Sequence, residues 1–217
     1  MYEIVKLLRT PWYTIVVVVF ISCNSGIKHK TETYHNPIIP GFAPDPSICR
    51  VGDDFYLINS TFEYFPGIPI YHSRDLVNWK LIGNALDSIN QNVNMYSINS
   101  SAGIHAPTIR YHEGLFYIIT TNNINGKMVN FIITAEDPRG AWSKAYVLKD
   151  APGIDPSLFF DDDGKVWYTG SNVPPDPEFD GQSEIWMQEI DLDQMQLMGE
   201  RYYLTRGFSG GTWAEGP

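Results

Sequence analysis

Short runs of apolar residues, each bounded by polar turn residues, recur along this chain from residue 45 onward. The runs are rich in Val, Ile, Tyr, Phe and Trp, and they alternate with Gly, Pro, Asn and Asp. No long stretch carries apolar residues at the 3.6-residue spacing of an amphipathic helix. This pattern is typical of many short β-strands joined by tight turns, so the sequence predicts an all-β protein.

The predicted strands group into three similar units. Each unit opens with a residue that precedes a proline, at Asp45, Ala106 and Asp155, and a polar turn and further apolar runs follow each opening. Four strands per unit, repeated at roughly fifty residues, favour the blades of a β-propeller over a sandwich of irregular hairpins. The predicted strands are 45–48, 55–58, 69–73 and 80–82, then 106–109, 116–119, 130–134 and 144–148, then 155–158, 166–169, 184–188 and 202–204.

Three acids stand at or near the openings of successive units. Asp45 and Asp155 open the first and third units, and Glu215 lies where a fourth unit would begin. An Asp before Pro is also a common turn opener, so the functional interpretation depends on the three acids converging together. Converging acids repel one another, which raises the pKa of at least one of them.

A protonated acid facing a carboxylate base is the arrangement that glycoside hydrolysis requires. The longer side chain of Glu215 suits the general acid, and Asp45 suits the general base. Asp155 would raise the pKa of the acid and orient it.

The first residues of the chain predict export. Lys6 and Arg9 precede an apolar run over 12–21, which is shorter than the roughly twenty residues that a membrane-spanning helix needs. We therefore expect a signal peptide over 1–22. Residues 20–23 resemble a bacterial lipobox, which predicts acylation of Cys23 after cleavage, a polar tether over 23–35, and a lipid-anchored protein of the bacterial envelope, in the periplasm or at the outer membrane. An ordinary secretory signal with a chance cysteine is the alternative.

The amino-acid composition limits the kinds of molecule that we expect this protein to bind. The chain of 217 residues carries 25 acidic against 15 basic side chains, and 14% of its residues are aromatic. An acidic protein is a poor partner for nucleic acid or for an anionic membrane surface, so we expect membrane contact only through the lipid anchor. A neutral ligand that stacks on aromatic rings, such as a sugar, fits better. If Cys23 is lipidated, Cys49 has no disulfide partner, and its place in an apolar run predicts a half-buried structural thiol.

Several segments closely resemble glycoside hydrolase family 43, especially its β-xylosidase and α-L-arabinofuranosidase branch. The segments are 36–48 (Asn-Pro-Ile-Ile-Pro-Gly-Phe-Ala-Pro-Asp-Pro-Ser-Ile), 60–70 and 72–79, and 153–157 and 213–217 are similar to the second and third acidic motifs of the family. The resemblance covers 36–217 in family order. It implies a five-bladed β-propeller of which this chain holds the N-terminal part, truncated after about three blades. It also implies an inverting mechanism with Asp45 as base, Asp155 as pKa modulator and Glu215 as acid.

Two further residues are candidates for substrate binding. Phe62 matches an aromatic that lines the glycone subsite in β-xylosidases of this type, although a blade-packing role is an equal alternative. His105 stands where the family often has Trp or Tyr, and it can still stack on a sugar or donate a hydrogen bond. A histidine at the pocket rim without a role in binding is the alternative.

The sequence therefore predicts a hydrolase that removes terminal xylose or arabinose from plant cell-wall glycans such as xylan, arabinoxylan or arabinan. An arabinan-cleaving enzyme and a non-catalytic glycan-binding lipoprotein on the same fold are the alternatives. We expect no required cofactor and no catalytic metal, whereas calcium or another ion in the channel is compatible with the resemblance. The G-x-S-x-G pattern at 207–211 lacks a following helix and a later Asp and His, so we interpret it as packing glycines. We also expect the segment alone to be inactive and poorly stable, because an open ring exposes strand edges.

Overall fold

A computed structural model describes residues 33–88, 91–208, 210 and 213–216. The predicted signal peptide, Cys23 and most of the predicted tether lie outside the described residues, as does Ser209 of the G-x-S-x-G pattern. In the described part of the chain, no helix is long and apolar enough to cross a membrane.

The described residues form twelve β-strands in three antiparallel sheets, which confirms the all-β prediction. Each sheet contains four strands in chain order, so every unit is a simple meander, as the repeat predicts. The first sheet contains β1 (Ser47–Val51), β2 (Asp54–Ile58), β3 (Gly67–Ser73) and β4 (Lys80–Leu86). The second contains β5 (Gly103–His112), β6 (Leu115–Ile124), β7 (Lys127–Ala135) and β8 (Tyr146–Val147). The third contains β9 (Ile154–Phe160), β10 (Val166–Asn172), β11 (Glu184–Asp191) and β12 (Gln196–Thr205).

The last strands of the sheets differ most from the sequence-based bounds. β12 begins at Gln196, well before the predicted start at residue 202, because β11 and β12 form a hairpin that pairs Asp191 with Gln196. Its first residues mix polar and apolar types and are mostly exposed, so no apolar run marks this part of the strand. β8 is shorter than predicted, and the N–H of Leu148 bonds to the carbonyl of Asn130 just beyond the strand.

The second sheet lies between two hydrophobic clusters, which explains its continuous apolar runs. Ile118 and Phe131 pack in the cluster shared with the first sheet, whereas Ile119 and Ile132 pack in the cluster shared with the third. Because successive side chains of a strand point to opposite faces, a sheet covered on both faces needs apolar residues at every position. The central sheet is thereby held on both sides.

Cys49 lies in β1 and is half-buried against the first of these clusters, which confirms the predicted strand position. Burial raises the pKa of its thiol to about 12. The thiol therefore stays protonated at neutral pH, as a structural cysteine does.

The first strands of the three sheets are neighbours. β5 packs against β1 on one side and against β9 on the other. Because the three strands are equivalent members of the repeat, their openings come together at one end of the fold. This is the end at which the predicted site residues stand.

Candidate active site

A pocket of about 590 Å³ lies where the openings of β1, β5 and β9 meet. The three predicted acids Asp45, Asp155 and Glu215 all line it, and Phe62 and His105 line it as well. Residues that are far apart in sequence therefore share one cavity. Its size is within the range of pockets that hold small ligands.

The backbone takes the same unusual conformation at the three unit openings. Asp45, Ala106 and Asp155 have φ values of 52°, 37° and 55°, in the left-handed region that residues other than glycine rarely adopt. Each residue precedes a proline, which disfavours the ordinary helical conformation. A non-glycine residue in this region costs on the order of 1–3 kcal/mol and is found most often at functional sites. In the second sheet the position carries only the methyl group of Ala106.

The carboxylate of Asp45 is held by a buried hydroxyl. Ser60 is fully buried, and its Oγ donates a hydrogen bond to Asp45 Oδ2 at 2.6 Å. The same Oγ accepts a hydrogen bond from the backbone N–H of Ala106 at 2.6 Å. The first acid is thereby connected to the opening of the second sheet.

Asp155 is half-buried, whereas Asp45 and Glu215 are exposed. Burial raises the pKa of its carboxyl group above the ordinary value, and the negative charges of Glu215 and Asp45 raise it further. The backbone N–H of Gly216 and the nearby His105 act in the opposite direction. Like charge thus contributes to the raised pKa of Asp155, but burial is the larger cause.

The segment that carries Glu215 is held by serine hydroxyl groups. Ser171 Oγ donates a hydrogen bond to the carbonyl of Ala214 at 2.6 Å, and the N–H of Ala214 donates to Ser183 Oγ. The N–H of Gly216 bonds to the carboxyl of Asp155 on the other side of Glu215. Glu215 itself is exposed to solvent, so its side chain is accessible to a ligand in the pocket.

An aromatic wall lies at one side of the pocket: Phe62 and His105 line the pocket, and further rings pack beside Phe62. The ring of Phe62 contacts His105 at a centroid distance of 5.0 Å, and Phe42 at 5.7 Å, and Phe42 contacts Tyr64 at 6.0 Å. Phe42 and Tyr64 are largely exposed, at 63% and 60%. Exposed rings beside a polar pocket suit a sugar, which presents apolar C–H faces as well as hydroxyl groups.

Phe62 and His105 are positioned by a bridge between the first and second sheets. Phe62 and Ile104 exchange two backbone hydrogen bonds of 3.0 Å each. Gly103 allows this close approach, because at its φ of 90° a side chain would collide with the carbonyl of Phe62. Within the described residues, His105 Nε2 is buried without a hydrogen-bond partner.

Three residues at or beside the pocket were not predicted from the sequence. They are Ser60, the ring of Phe42, and Arg110, whose guanidinium lines the pocket and donates to Ser157 Oγ at 2.9 Å and to the carbonyl of Leu158 at 3.1 Å. Burial lowers the pKa of Arg110. Counting along the repeat from the paired strands would have found Ser60, because Ser171 occupies the equivalent position in the third sheet.

The described residues contain no group of three or more His, Cys, Asp or Glu side chains that could hold a metal ion. The three pocket acids therefore do not form a metal centre with one another in this geometry. The three carboxyl groups have different surroundings, and such differences allow one group to act as an acid and another as a base.

Comparison with known proteins identifies the family that this chain matches. The profile described as glycosyl hydrolases family 43 matches residues 34–217. The chain is 54% identical over 187 residues to a xylosidase/arabinosidase of Butyrivibrio fibrisolvens, and 53% identical over 194 residues to a non-reducing end alpha-L-arabinofuranosidase of Bacteroides ovatus. These alignments cover 84% and 89% of this chain but 35% of each relative, so the chain spans about a third of the length of these curated relatives.

A solved structure is similar at the level of the fold. The xylan beta-1,4-xylosidase from Bacillus halodurans superposes with a TM-score of 0.73 and is 38% identical. The superposition covers 82% of this chain and 34% of that protein.

Proposed function

This chain belongs to family 43 of the glycosyl hydrolases, and from this premise we propose that its pocket removes terminal xylose or arabinose from plant cell-wall glycans. The observation that carries the proposal is the convergence of Asp45, Asp155 and Glu215 on one pocket. Because the chain spans about a third of its relatives, the activity is proposed for the full-length protein that contains it.

We propose an inverting reaction with two carboxyl groups in complementary roles. Glu215 donates its proton to the glycosidic oxygen as the bond to the anomeric carbon breaks. Asp45 accepts a proton from a water molecule whose oxygen forms the new bond on the opposite face of the sugar. The leaving alcohol and a sugar of inverted anomeric configuration are the products. Each positioned acid or base accounts for about 10²- to 10⁴-fold in rate.

Asp155 is proposed to modulate the acid. Its carboxyl group interacts with the charge of Glu215 and bonds to the neighbouring Gly216 N–H. A negative charge at this place favours the protonated form of a neighbouring acid and fixes the backbone on which that acid stands.

The sugar specificity is proposed from the aromatic wall and from the relatives. The named relatives are a xylosidase/arabinosidase and an arabinofuranosidase, so a pentose is the expected terminal sugar. Phe62 would stack on the sugar ring, and His105, which lines the same pocket, would contact the sugar beside it. A histidine is smaller than the Trp or Tyr frequent at this position in the family, which leaves room for either pentose.

We further propose that the three sheets are consecutive blades of a five-bladed propeller. The repeat of four-stranded meanders and the side-by-side packing of β1, β5 and β9 support this arrangement. In a propeller the innermost strands surround the central channel, and the pocket at their openings would be its funnel. Residues 36–217 would supply the N-terminal part of this catalytic domain.

Export and lipid anchoring are proposed from the N-terminal segment alone. Cys23→Ser is expected to abolish incorporation of a labelled fatty acid and to move the protein from the membrane fraction to the soluble fraction of the cell envelope. Cys49→Ser is the matched control and should leave both unchanged. Labelling that persists in the Cys23 variant would contradict the proposal.

The activity is tested by hydrolysis of an aryl β-xyloside and an aryl α-L-arabinofuranoside by the full-length protein. Glu215→Ala and Asp45→Asn are each expected to reduce kcat by about 10²-fold or more. Glu200→Gln, a change at an exposed acid of β12, is the control and should leave kcat unchanged. If the protein cleaves neither substrate but retains xylan in an affinity gel, the glycan-binding alternative is favoured instead.

Inversion has a separate measurement. NMR spectra recorded in the first minutes should show the anomer opposite to that of the substrate. A first-formed sugar of retained configuration would overturn the roles given to Asp45 and Glu215.

A further inference from the structure

Three buried hydroxyl groups occupy equivalent positions in the three sheets. Ile58, Ile119 and Thr169 each pair with the residue two places after a unit opening, and two residues further along lie Ser60, Thr121 and Ser171. All three hydroxyl residues are almost completely buried, with at most 1% of their surface exposed. Ser60 lies two residues beyond β2, Thr121 lies within β6 and Ser171 lies near the end of β10, and each is beside the opening of its own unit.

The first of these hydroxyl groups is fixed as a donor to the proposed base. Ser60 Oγ accepts the N–H of Ala106 at 2.6 Å, so its single proton is available for Asp45 Oδ2 at 2.6 Å. The two partners belong to different sheets. The bond therefore fixes the position of the Asp45 carboxylate relative to the second sheet, and not only relative to its own strand.

The third hydroxyl group is fixed as a donor next to the proposed acid. Ser171 Oγ donates to the carbonyl of Ala214 at 2.6 Å, and Ala214 directly precedes Glu215. A carbonyl can only accept, so the direction of this bond is also determined. It attaches the segment that carries Glu215 to the end of β10.

The second hydroxyl group provides an internal comparison. Thr121 Oγ1 donates to Asn130 Oδ1 at 2.6 Å, and the opening beside it carries Ala106 in place of an acid. It is as buried as Ser60 and bonded as closely. A purely structural role predicts that loss of any of the three hydroxyl groups has similar consequences for activity.

We propose that Ser60 and Ser171 are positioning residues of the reaction, through which the ends of β2 and β10 set the base Asp45 and the acid Glu215 at the sugar. This inference rests on the proposed function. It assigns two tasks to one repeated hydroxyl position: Ser60 holds the Asp45 carboxylate directly, and Ser171 holds the segment of Glu215 through the carbonyl of Ala214. Misplacement of a reacting group by about 1 Å can cost about 10²-fold in rate.

The test uses the full-length protein with a phenyl glycoside and a dinitrophenyl glycoside of the sugar it cleaves. Ser60→Ala is expected to lower kcat by about 10²-fold on both substrates with little change in KM, because the base acts on water whatever the leaving group. Ser171→Ala is expected to lower kcat on the phenyl glycoside to a similar extent. Its effect should shrink to less than about threefold on the dinitrophenyl glycoside, whose departure needs little help from an acid.

Thr121→Val is the matched control. It removes an equally buried hydroxyl and should lower the melting temperature, while kcat stays within about twofold of the unchanged protein on both substrates. In an Asp45→Ala background, Ser60→Ala should cause no further loss, because the group through which it acts is absent. If Ser60→Ala does not fold, the same test uses Ser60→Cys. This change nearly keeps the side-chain volume but weakens the hydrogen-bond donor.

The outcomes separate this inference from the proposed function. Serine variants with unchanged kcat on both substrates, or a Thr121→Val loss as large as that of Ser60→Ala, overturn the positioning role while the hydrolase remains. A full-length protein that cleaves neither glycoside before any substitution overturns the function and the positioning role together.

Discussion

At the scale of single residues, the two acids that open β-strands differ in what surrounds them. Asp45 is exposed and accepts the hydroxyl of the buried Ser60. Asp155 is half-buried, and burial raises the pKa of its carboxyl group, with the like charges of Glu215 and Asp45 adding to the shift. The same residue type in the same backbone conformation is thereby suited to two different tasks.

The raised pKa of Asp155 has a consequence for stability. A carboxyl group whose pKa is higher in the folded state contributes stability below its ordinary pKa of 3.8 and loses that contribution as the pH rises through the raised value. Above the raised pKa, the ionised form of Asp155 therefore costs free energy of folding. In the proposed mechanism, this charge serves the neighbouring acid Glu215.

Replacing Asp155 by asparagine should separate stability from activity. We expect Asp155→Asn to melt a few degrees higher than the unchanged protein at pH 7, with the difference shrinking toward pH 3, while hydrolysis falls. The amide oxygen can still accept the N–H of Gly216, so the local backbone is retained. Melting curves at pH 3, 5 and 7 measure the effect, and Asp162→Asn in an exposed hairpin turn is the control. The result that contradicts this prediction is a melting-temperature gain of the variant over the unchanged protein that is smaller at pH 7 than at pH 3.

At the scale of strands, the sequence predicts strand bounds well where the apolar pattern is strong and poorly where this pattern is weak. Apolar runs marked all twelve strands, since their buried faces require Val, Ile and aromatic residues, but the observed bounds often differ from the predicted ones. The beginning of β12 is mostly exposed and has no apolar run, and its pairing with β11 defines it. Bulges also interrupt the pairing of β5 after His105 and of β10 after Thr169.

The close approach at Gly153 is a property of two strands together. Gly153 has a φ of 88°, and a Cβ at this place would collide with the carbonyl of Ser171 on β10. We expect Gly153→Ala to destabilise the protein by at least about 2 kcal/mol, because the conformation alone costs about 1–2 kcal/mol and the contact must also open. Chemical denaturation measures the loss.

Gly164 provides the control for this prediction. It has a similar φ of 86° in the β9–β10 hairpin turn, but a Cβ there meets nothing within 4 Å. Gly164→Ala should cost only the conformational part, about 1–2 kcal/mol. Equal losses at the two glycines would show that the contact with Ser171 does not matter.

At the scale of the whole molecule, the three sheets bury the faces between them but leave apolar side chains exposed elsewhere. Phe159 on β9 and Leu204 on β12 are each 56% exposed and line one shallow apolar cavity. Exposed apolar patches of this kind promote association with other surfaces.

Residues 24–217 expressed alone should therefore behave poorly. We expect this segment to bind a hydrophobic dye, to self-associate in sedimentation experiments and to lack hydrolytic activity, in contrast to the full-length protein. Phe159→Ser, which removes one exposed ring, should reduce dye binding in the segment. A monodisperse and active preparation of residues 24–217 is the result that refutes this prediction.

The sequence by itself determined the all-β class, the three four-stranded units and the identity of the acids, because each depends on local patterns of apolar, turn and motif residues. Only the tertiary structure decided how these parts act on one another. The raised pKa of Asp155 depends on burial and on charges sixty and more residues away, and the bond from Ser60 to Asp45 depends on strand register. Both arise from distances in space, which packing of β1, β5 and β9 creates and which no single stretch of the chain encodes.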